Sequence, residues 1–288
     1  MTSVLYDVPG PRARRRNVVL GVVGLLVALA VIGFVVYRFA VTGQFSARLW
    51  STFAYPQVQQ AFLDAAMNTL RAFALASVLS VVVGLVLAVG RLSDRRWINR
   101  PVGWITELFR AIPVLLLMGV VYYGLPSIGV DGITPYIAVV AGLTSYNGSV
   151  LAEVFRAGMQ AIPRGQVEAG YAIGLRKSQV TALILLPQAV RLMLPVIISQ
   201  LVVVMKDTAL GFIVTYNEIL YYAKYLGGQA QLGFPIIPSA IVAAVLYIGM
   251  CLILSGIAKL LELRLGGARR SSGRRAIIRA AVDDGAAV

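Results

Sequence analysis

The 288-residue chain is 59% hydrophobic and only 13% charged, with a mean hydropathy of +0.81. Soluble domains carry about one quarter charged residues, so much of this surface must face lipid rather than water. The net charge of +14 raises nucleic acid as a partner, but most Lys and Arg flank long apolar runs, where they meet headgroups and set topology, so no nucleic-acid partner is expected. There is no His, which excludes Ser-His-Asp triads, His-ligated metals and His proton shuttles. The single Cys, Cys251, lies inside an apolar run and excludes a disulfide framework.

Residues 1–17 form a basic N-terminus with Arg12, Arg14, Arg15 and Arg16. The apolar run from Val18 to Tyr37 is about 20 residues, longer than a signal-peptide core of roughly 7–15. It reads as a retained first transmembrane helix within 18–40. A second span is predicted over 65–90, with Asn68 and Arg71 in its first turns. The third covers 108–126 and is broken by Pro113; the fourth covers 133–155. The fifth, 188–206, has Arg191 and Pro195 near its start, and the sixth is 236–260. Residues 209–225 are too short and polar to span, and fit a half-helix or re-entrant segment on the far side. The tail 266–288, rich in Arg, Ala, Gly and Asp, is expected to be disordered.

The positive-inside rule orients this six-span pattern. With both termini cytoplasmic, only Arg38, Arg48 and Lys224 fall in outer loops, and only Arg71, Arg110 and Lys206 fall within spans or at their ends. Every other Lys and Arg is then on the inner side.

The stretch between spans four and five is the most informative. Pro163, Arg164 and Gly165 open it, Gln166 to Ala169 continue in helix formers, and Gly174 can end a short helix in the left-handed conformation. Ser178 to Leu186 reads as a second short helix, with Pro187 starting the next span. A short helix on the cytoplasmic face, carrying polar and small residues, suits insertion into a groove on a partner.

Glu168-Ala169-Gly170, Gly174 and Leu186-Pro187 resemble the EAA loop of permease subunits of ATP-binding-cassette (ABC) importers. Gly170 departs from that pattern, where Ala is usual. Glycine costs about 0.5–1 kcal/mol in a helix interior, which the match tolerates. Arg110-Ala111-Ile112-Pro113, Glu153 to Gly158, Ile162 to Gln166, Met205 to Leu210 and Asn68-Thr69-Leu70 resemble polar amino acid permeases of the histidine/glutamine type. Within these, the chain is most similar to actinobacterial glutamate-type subunits.

The resemblance covers roughly 60–262. It implies an all-α membrane domain of the type I importer fold, with about six spans and a coupling helix within 163–187. It further implies a cytoplasmic ATPase dimer, a second permease subunit (a related chain or another copy), an extracytoplasmic amino-acid-binding protein and a bacterial plasma membrane location. The chain has no G-x-x-x-x-G-K-[ST] loop, so ATP and Mg would be bound by the partner ATPase and this chain would carry no cofactor or metal. It is read as a transport subunit, not an enzyme. An ATPase-independent transporter or channel would have no need of the 163–187 pattern, and an intramembrane enzyme would need a catalytic constellation the sequence does not offer.

Charged residues in spans are costly and often line a pathway. Lys206 and Asp207, with Thr208, offer a cation for a carboxylate and an anion for an ammonium group; a snorkelling Lys with its neighbour as counter-ion is the alternative. Glu153 and Arg156, at i and i+3, fit a structural pair or a substrate or gating contact. Asn68 and Arg71 share that spacing, and Arg71 suits either an anionic substrate or headgroup anchoring. Tyr146 and Asn147, in mid-span, fit a lined cavity or interhelical hydrogen bonding. The coupling role falls to Pro163, Arg164, Gly165, Gln166, Glu168, Ala169, Gly170 and Gly174.

Overall fold

The computed structural model describes the backbone of residues 10–285 and the side chains of residues 10–260. Among the described residues every regular element is a helix. Five are long and apolar enough to cross a membrane, or six if one bent pair counts as a single span.

Helix α1, Pro11–Val41, starts on a proline, whose fixed φ suits the first helical position and whose missing N–H costs nothing there. It buries no residue and is apolar all round from Val18 to Tyr37, as expected of a helix whose solvent is lipid. Gln44, just beyond it, bonds to the Phe234 carbonyl (3.4 Å) and the Ile237 amide (3.2 Å), tying the end of α1 to the last span.

Helix α2, Pro56–Arg91, reaches nine residues further towards the N-terminus than the predicted span. Its buried residues Ala72, Ala76, Ser80, Gly84 and Ala88 recur every fourth position and form a stripe of small side chains. Small residues let helix backbones approach closely in lipid, where packing rather than hydrophobicity drives association. The stripe lies against α5, Pro135–Gln160: a Cβ on Gly84 would come within 2.8 Å of Leu151 Cβ.

The predicted third span is two helices. Helix α3, Arg96–Ala111, and helix α4, Val114–Ser127, meet at 100°. The cause is Pro113, which pushes its predecessor out of the helical region; Ile112 sits at φ −88°, ψ 127°. Residues 108–111, read as the start of a span, therefore belong to α3. Within α4 a π-turn at Val120–Gly124 precedes Pro126 and absorbs the hydrogen bond that proline cannot make.

After α5 comes the short helix α6, Arg164–Ala172. The next span does not begin at Pro187. A helical run extends from Lys177 to Val214, with α7, Leu186–Asp207, at its centre. Pro187 is accommodated because a π-turn at Val180–Leu185 displaces the carbonyls its ring would meet. A 3₁₀ turn, Thr208–Val214, ends the run, and Thr215 reverses the chain at φ 58°. Helix α8, Ile219–Gly227, follows where a half-helix was expected. The last helix, α9, spans Ile236–Gly285. Of the 266–288 tail, the backbone of 266–285 is described as a continuation of α9, and 286–288 lie outside the described residues.

Three apolar clusters hold the bundle. One joins α2, α4, α5 and α7 through Ala76, Met118, Leu143 and Val204. A second, around Leu151, Phe155, Met159 and Ala189, binds the C-terminal half of α5 to the N-terminal half of α7. In the third, Phe62, Ile219, Leu226 and Ala243 fix α8 between α2 and α9.

Candidate functional site

Two polar regions stand out from this apolar bundle, one near the turn at Thr215 and one around α6. The first is a pocket of about 580 Å³ lined by Asn68, Arg71, Tyr136, Thr215, Tyr216 and Asn217, with Thr134 and Pro135 at its edge. It is built by stapling the 213–219 segment onto α2. Asn68 Nδ2 donates to the Asn217 carbonyl (2.9 Å), and the Tyr216 hydroxyl donates to the Asn68 carbonyl (2.8 Å). Tyr122 and Tyr123 on α4 hold the other side, bonding Thr215 Oγ1 and the Ile213 carbonyl at 3.1 Å each. These contacts over-determine the left-handed Thr215, a conformation that threonine reaches only under such constraint. Burial, and then Tyr136 nearby, push the Tyr216 phenol up to about 12, so it remains a neutral donor. Arg71 is the one charged side chain lining the pocket, and it is exposed there.

Glu218, next in the chain after the pocket residue Asn217, is fully buried. Its carboxylate caps α8, accepting from the amides of Leu220 (2.7 Å) and Tyr221 (2.6 Å), and also accepts from the Tyr247 hydroxyl (2.6 Å). Burial raises its pKa to about 7, against the pull of those three hydrogen bonds.

The remaining predicted pathway residues are dispersed. Lys206 opens onto a separate groove of about 350 Å³ between α7 and α9, beside Tyr247, Cys251 and Ser255. Asp207 is half-buried, and no ion pair joins it to Lys206 among the described residues. Thr208 is buried, donating to the Met205 carbonyl (2.6 Å) with its oxygen 3.4 Å from the Tyr247 hydroxyl. Asn147 is buried and accepts from Gln200 on α7 (2.7 Å), an interhelical bond; Tyr146 beside it is half-buried. Glu153 has both oxygens engaged, by Arg156 on its own helix and by Arg91 at the end of α2 (2.9 Å). Arg91 also reaches Glu107 (3.2 Å), so α2, α3 and α5 share one ion network.

The second region is α6. Its far end closes with paired bonds: Leu175 N to the Gly170 carbonyl (3.1 Å) and Gly174 N to the Tyr171 carbonyl (2.9 Å), with Gly174 at φ 81°. That is the Schellman arrangement, and glycine is the residue that adopts it without strain. Gly170 is the one buried residue of α6. A Cβ there would come within 2.8 Å of Ile184 Cδ1 and 3.0 Å of Val180 Cγ2, a close approach at the position where the EAA pattern has alanine. Arg164, Gly165, Gln166, Glu168 and Ala169 are exposed, as is Pro163 before them. Lys177 bonds Asp94 and the Leu92 carbonyl (3.2 Å), so the segment following α6 is braced on the turn between α2 and α3.

Tyr136, Thr215, Tyr216, Asn217 and Glu218 are absent from the residues singled out by sequence. The available signals were faint: an acid immediately before the apolar run from Ile219, and a Thr-Tyr-Asn-Glu interruption in an otherwise apolar stretch.

Comparison with known proteins follows this geometry. The family model described as "Binding-protein-dependent transport system inner membrane component" matches residues 80–267. The glutamate transport system permease protein GluD of Corynebacterium glutamicum is 41% identical over 181 residues, covering 62% of this chain and 66% of the relative, just under two thirds of its length. A probable glutamine ABC transporter permease protein GlnP of Bacillus subtilis is 32% identical, covering 73% of this chain and 97% of the relative. Among solved structures, an amino acid ABC transporter with histidines matches at TM-score 0.65 and 25% identity, over 72% of this chain and 95% of that chain. The MetNI methionine ABC transporter shares the fold at TM-score 0.61 and 19% identity, over 73% and 99% of the two chains. The chain belongs to the family of binding-protein-dependent transport system inner membrane components.

Proposed function

We propose, from that membership, that the chain is the membrane-spanning permease subunit of an ABC importer for a polar amino acid, with glutamate the favoured substrate. The observation that carries the proposal is α6: a short, exposed helix at the junction of two spans, bearing Glu168 and closed by Gly174. Such an element has little reason to be held out unless another protein receives it. In this reading it docks on a cytoplasmic ATPase dimer that binds ATP and Mg. ATP binding closes the dimer, and α6 passes the movement through α5 and α7. Two packed permeases, this chain with a related subunit or a second copy, alternate between inward- and outward-open states. An extracytoplasmic binding protein delivers the amino acid. The location is the bacterial plasma membrane with both termini cytoplasmic, supported by the distribution of Lys and Arg.

The pocket around Arg71 serves as the outer station of the pathway. A cation with no carboxylate lining the same pocket suits an anionic group, either the α-carboxylate or the glutamate side chain. Lys206, Asp207 and Thr208 are proposed as a further station engaging the two charged ends of the amino acid, with Asn68 holding the pocket wall.

The test is uptake by proteoliposomes containing the ATPase, both permeases and the binding protein. Arg71→Gln should raise the KM for glutamate about 10-fold or more, the equivalent of one charge-assisted hydrogen bond, and affect glutamine less. An unchanged KM for both substrates would remove Arg71 from the pathway.

A further inference from the structure

Helix α3 presents three distinct faces. Wound at 3.6 residues per turn, Val102, Thr106 and Phe109 fall on one side and turn inward, where α3 packs on α2 and α5. A Cβ on Gly90 would meet Val102 at 3.1 Å, and Asn99 Nδ2 donates to the Arg91 carbonyl (2.6 Å), capping the end of α2. A second face carries Trp97, Trp104, Ile105 and Leu108, and it is open: Trp97 is 70% and Trp104 80% exposed. Between these faces runs a polar row containing Arg96 and Arg100, one turn apart, with Glu107 and Arg110 beyond them.

The 100° bend at Pro113 fixes the orientation of these faces. If α4 crosses the membrane, α3 lies close to the membrane plane. It then covers the ends of α2 and α5 on the side that carries α6. A helix in that plane meets three media, which are protein, acyl chains and headgroups, and α3 has one face for each. Exposed tryptophans beside arginines are the composition of a helix seated at the headgroup boundary. The charge selects the headgroup. Glu107 is engaged by Arg91 and Arg110, and Asp94 by Lys177, whereas Arg95, Arg96 and Arg100 form no ion pair with a described residue. A surplus of cations at this level matches an anionic lipid surface.

We propose that α3 is a membrane-surface helix that gathers anionic lipids on the cytoplasmic leaflet. Trp97, Trp104, Ile105 and Leu108 enter the acyl boundary, and Arg96 and Arg100 bind lipid phosphates. The proposal concerns the lipid around this chain and does not depend on what the chain transports.

The test uses the full chain with Trp50→Phe, leaving Trp97 and Trp104 as its only tryptophans. It is placed in phosphatidylcholine bilayers with a minor share of phosphatidylglycerol, and bromines that quench tryptophan are put on the acyl chains of one lipid or the other. Quenching per brominated molecule should be about fivefold greater from phosphatidylglycerol, the enrichment expected of one arginine at an anionic surface. Arg96→Gln with Arg100→Gln, which leaves Arg95 in place, should lower the ratio well below that of the parent while quenching itself persists, which shows that the helix is still seated. Equal quenching by both lipids in the parent would overturn the anionic preference. No quenching by either would overturn the lipid assignment and leave a protein, such as the second permease, covering the face.

Discussion

Replacing Glu218 should loosen α8 by an amount the geometry lets one work out. Glu218→Ala removes the cap of α8, at about 1 kcal/mol. It also removes the 2.6 Å bond of the part-buried Tyr247 hydroxyl, leaving it only Thr208 Oγ1 at 3.4 Å, at about 1–3 kcal/mol. Opening of the 216–228 segment should therefore become easier by roughly 2–4 kcal/mol. Wild type carries a pH signature as well. The carboxyl has an ordinary pKa of 4.5 and is held at about 7 in the folded protein. The folded state thus keeps a proton that the opened state releases, so stability is highest below pH 4.5 and is lost as pH rises to about 7. The difference corresponds to about 3–4 kcal/mol, or roughly 300-fold in the opening equilibrium. Hydrogen exchange at the Leu220 and Tyr221 amides, corrected for the intrinsic pH dependence of exchange, reads this directly. Glu218→Gln cannot ionise and should flatten the profile across that window. A wild-type profile that is flat, or a Glu218→Gln profile that retains the slope, would refute the reasoning.

Further outcomes follow from the contacts around α6 and between the helices. Asp94→Lys and Lys177→Asp should each lower coupled uptake, and the double exchange should restore part of it, because the pair braces the segment after α6; no rescue would argue against the brace. Gly170→Ala should change stability by less than about 1 kcal/mol, since helix propensity offsets a contact with the movable end of Ile184. Gly170→Leu should expel α6 from Val180 and Ile184, read as faster proteolysis between 160 and 180. Asn147→Leu should cost about 0.6–2 kcal/mol in thermal stability through the lost bond to Gln200.

The spans were legible because a bilayer demands long apolar runs, and composition alone reveals them. The short helix α6 was equally legible, since Pro163 before it and Gly174 after it impose local backbone geometry that is written in adjacent residues. The bend at Pro113 was read as a break within a span, yet its size was not. A proline reports that a helix must change, and whether it turns by 100° or bulges into a π-turn, as before Pro187 and Pro126, depends on the neighbours it packs against. The pocket at Arg71 was only half visible for a related reason: Asn68 meets Asn217 across 149 positions, and sequence spacing carries no trace of that meeting. Glu153 and Asn147 were seen as polar residues in an apolar helix, but their partners, Arg91 and Gln200, lie on other helices.

The central claim is that α6 couples this permease to an ATP-driven partner. Its most direct test is glutamate uptake by proteoliposomes containing the complete transporter, with wild type compared against Glu168→Lys. Uptake that requires ATP and is lost in the variant, together with substrate-stimulated ATP hydrolysis, is the predicted result. Uptake that proceeds without ATP, or a variant that transports as wild type does, would contradict the account.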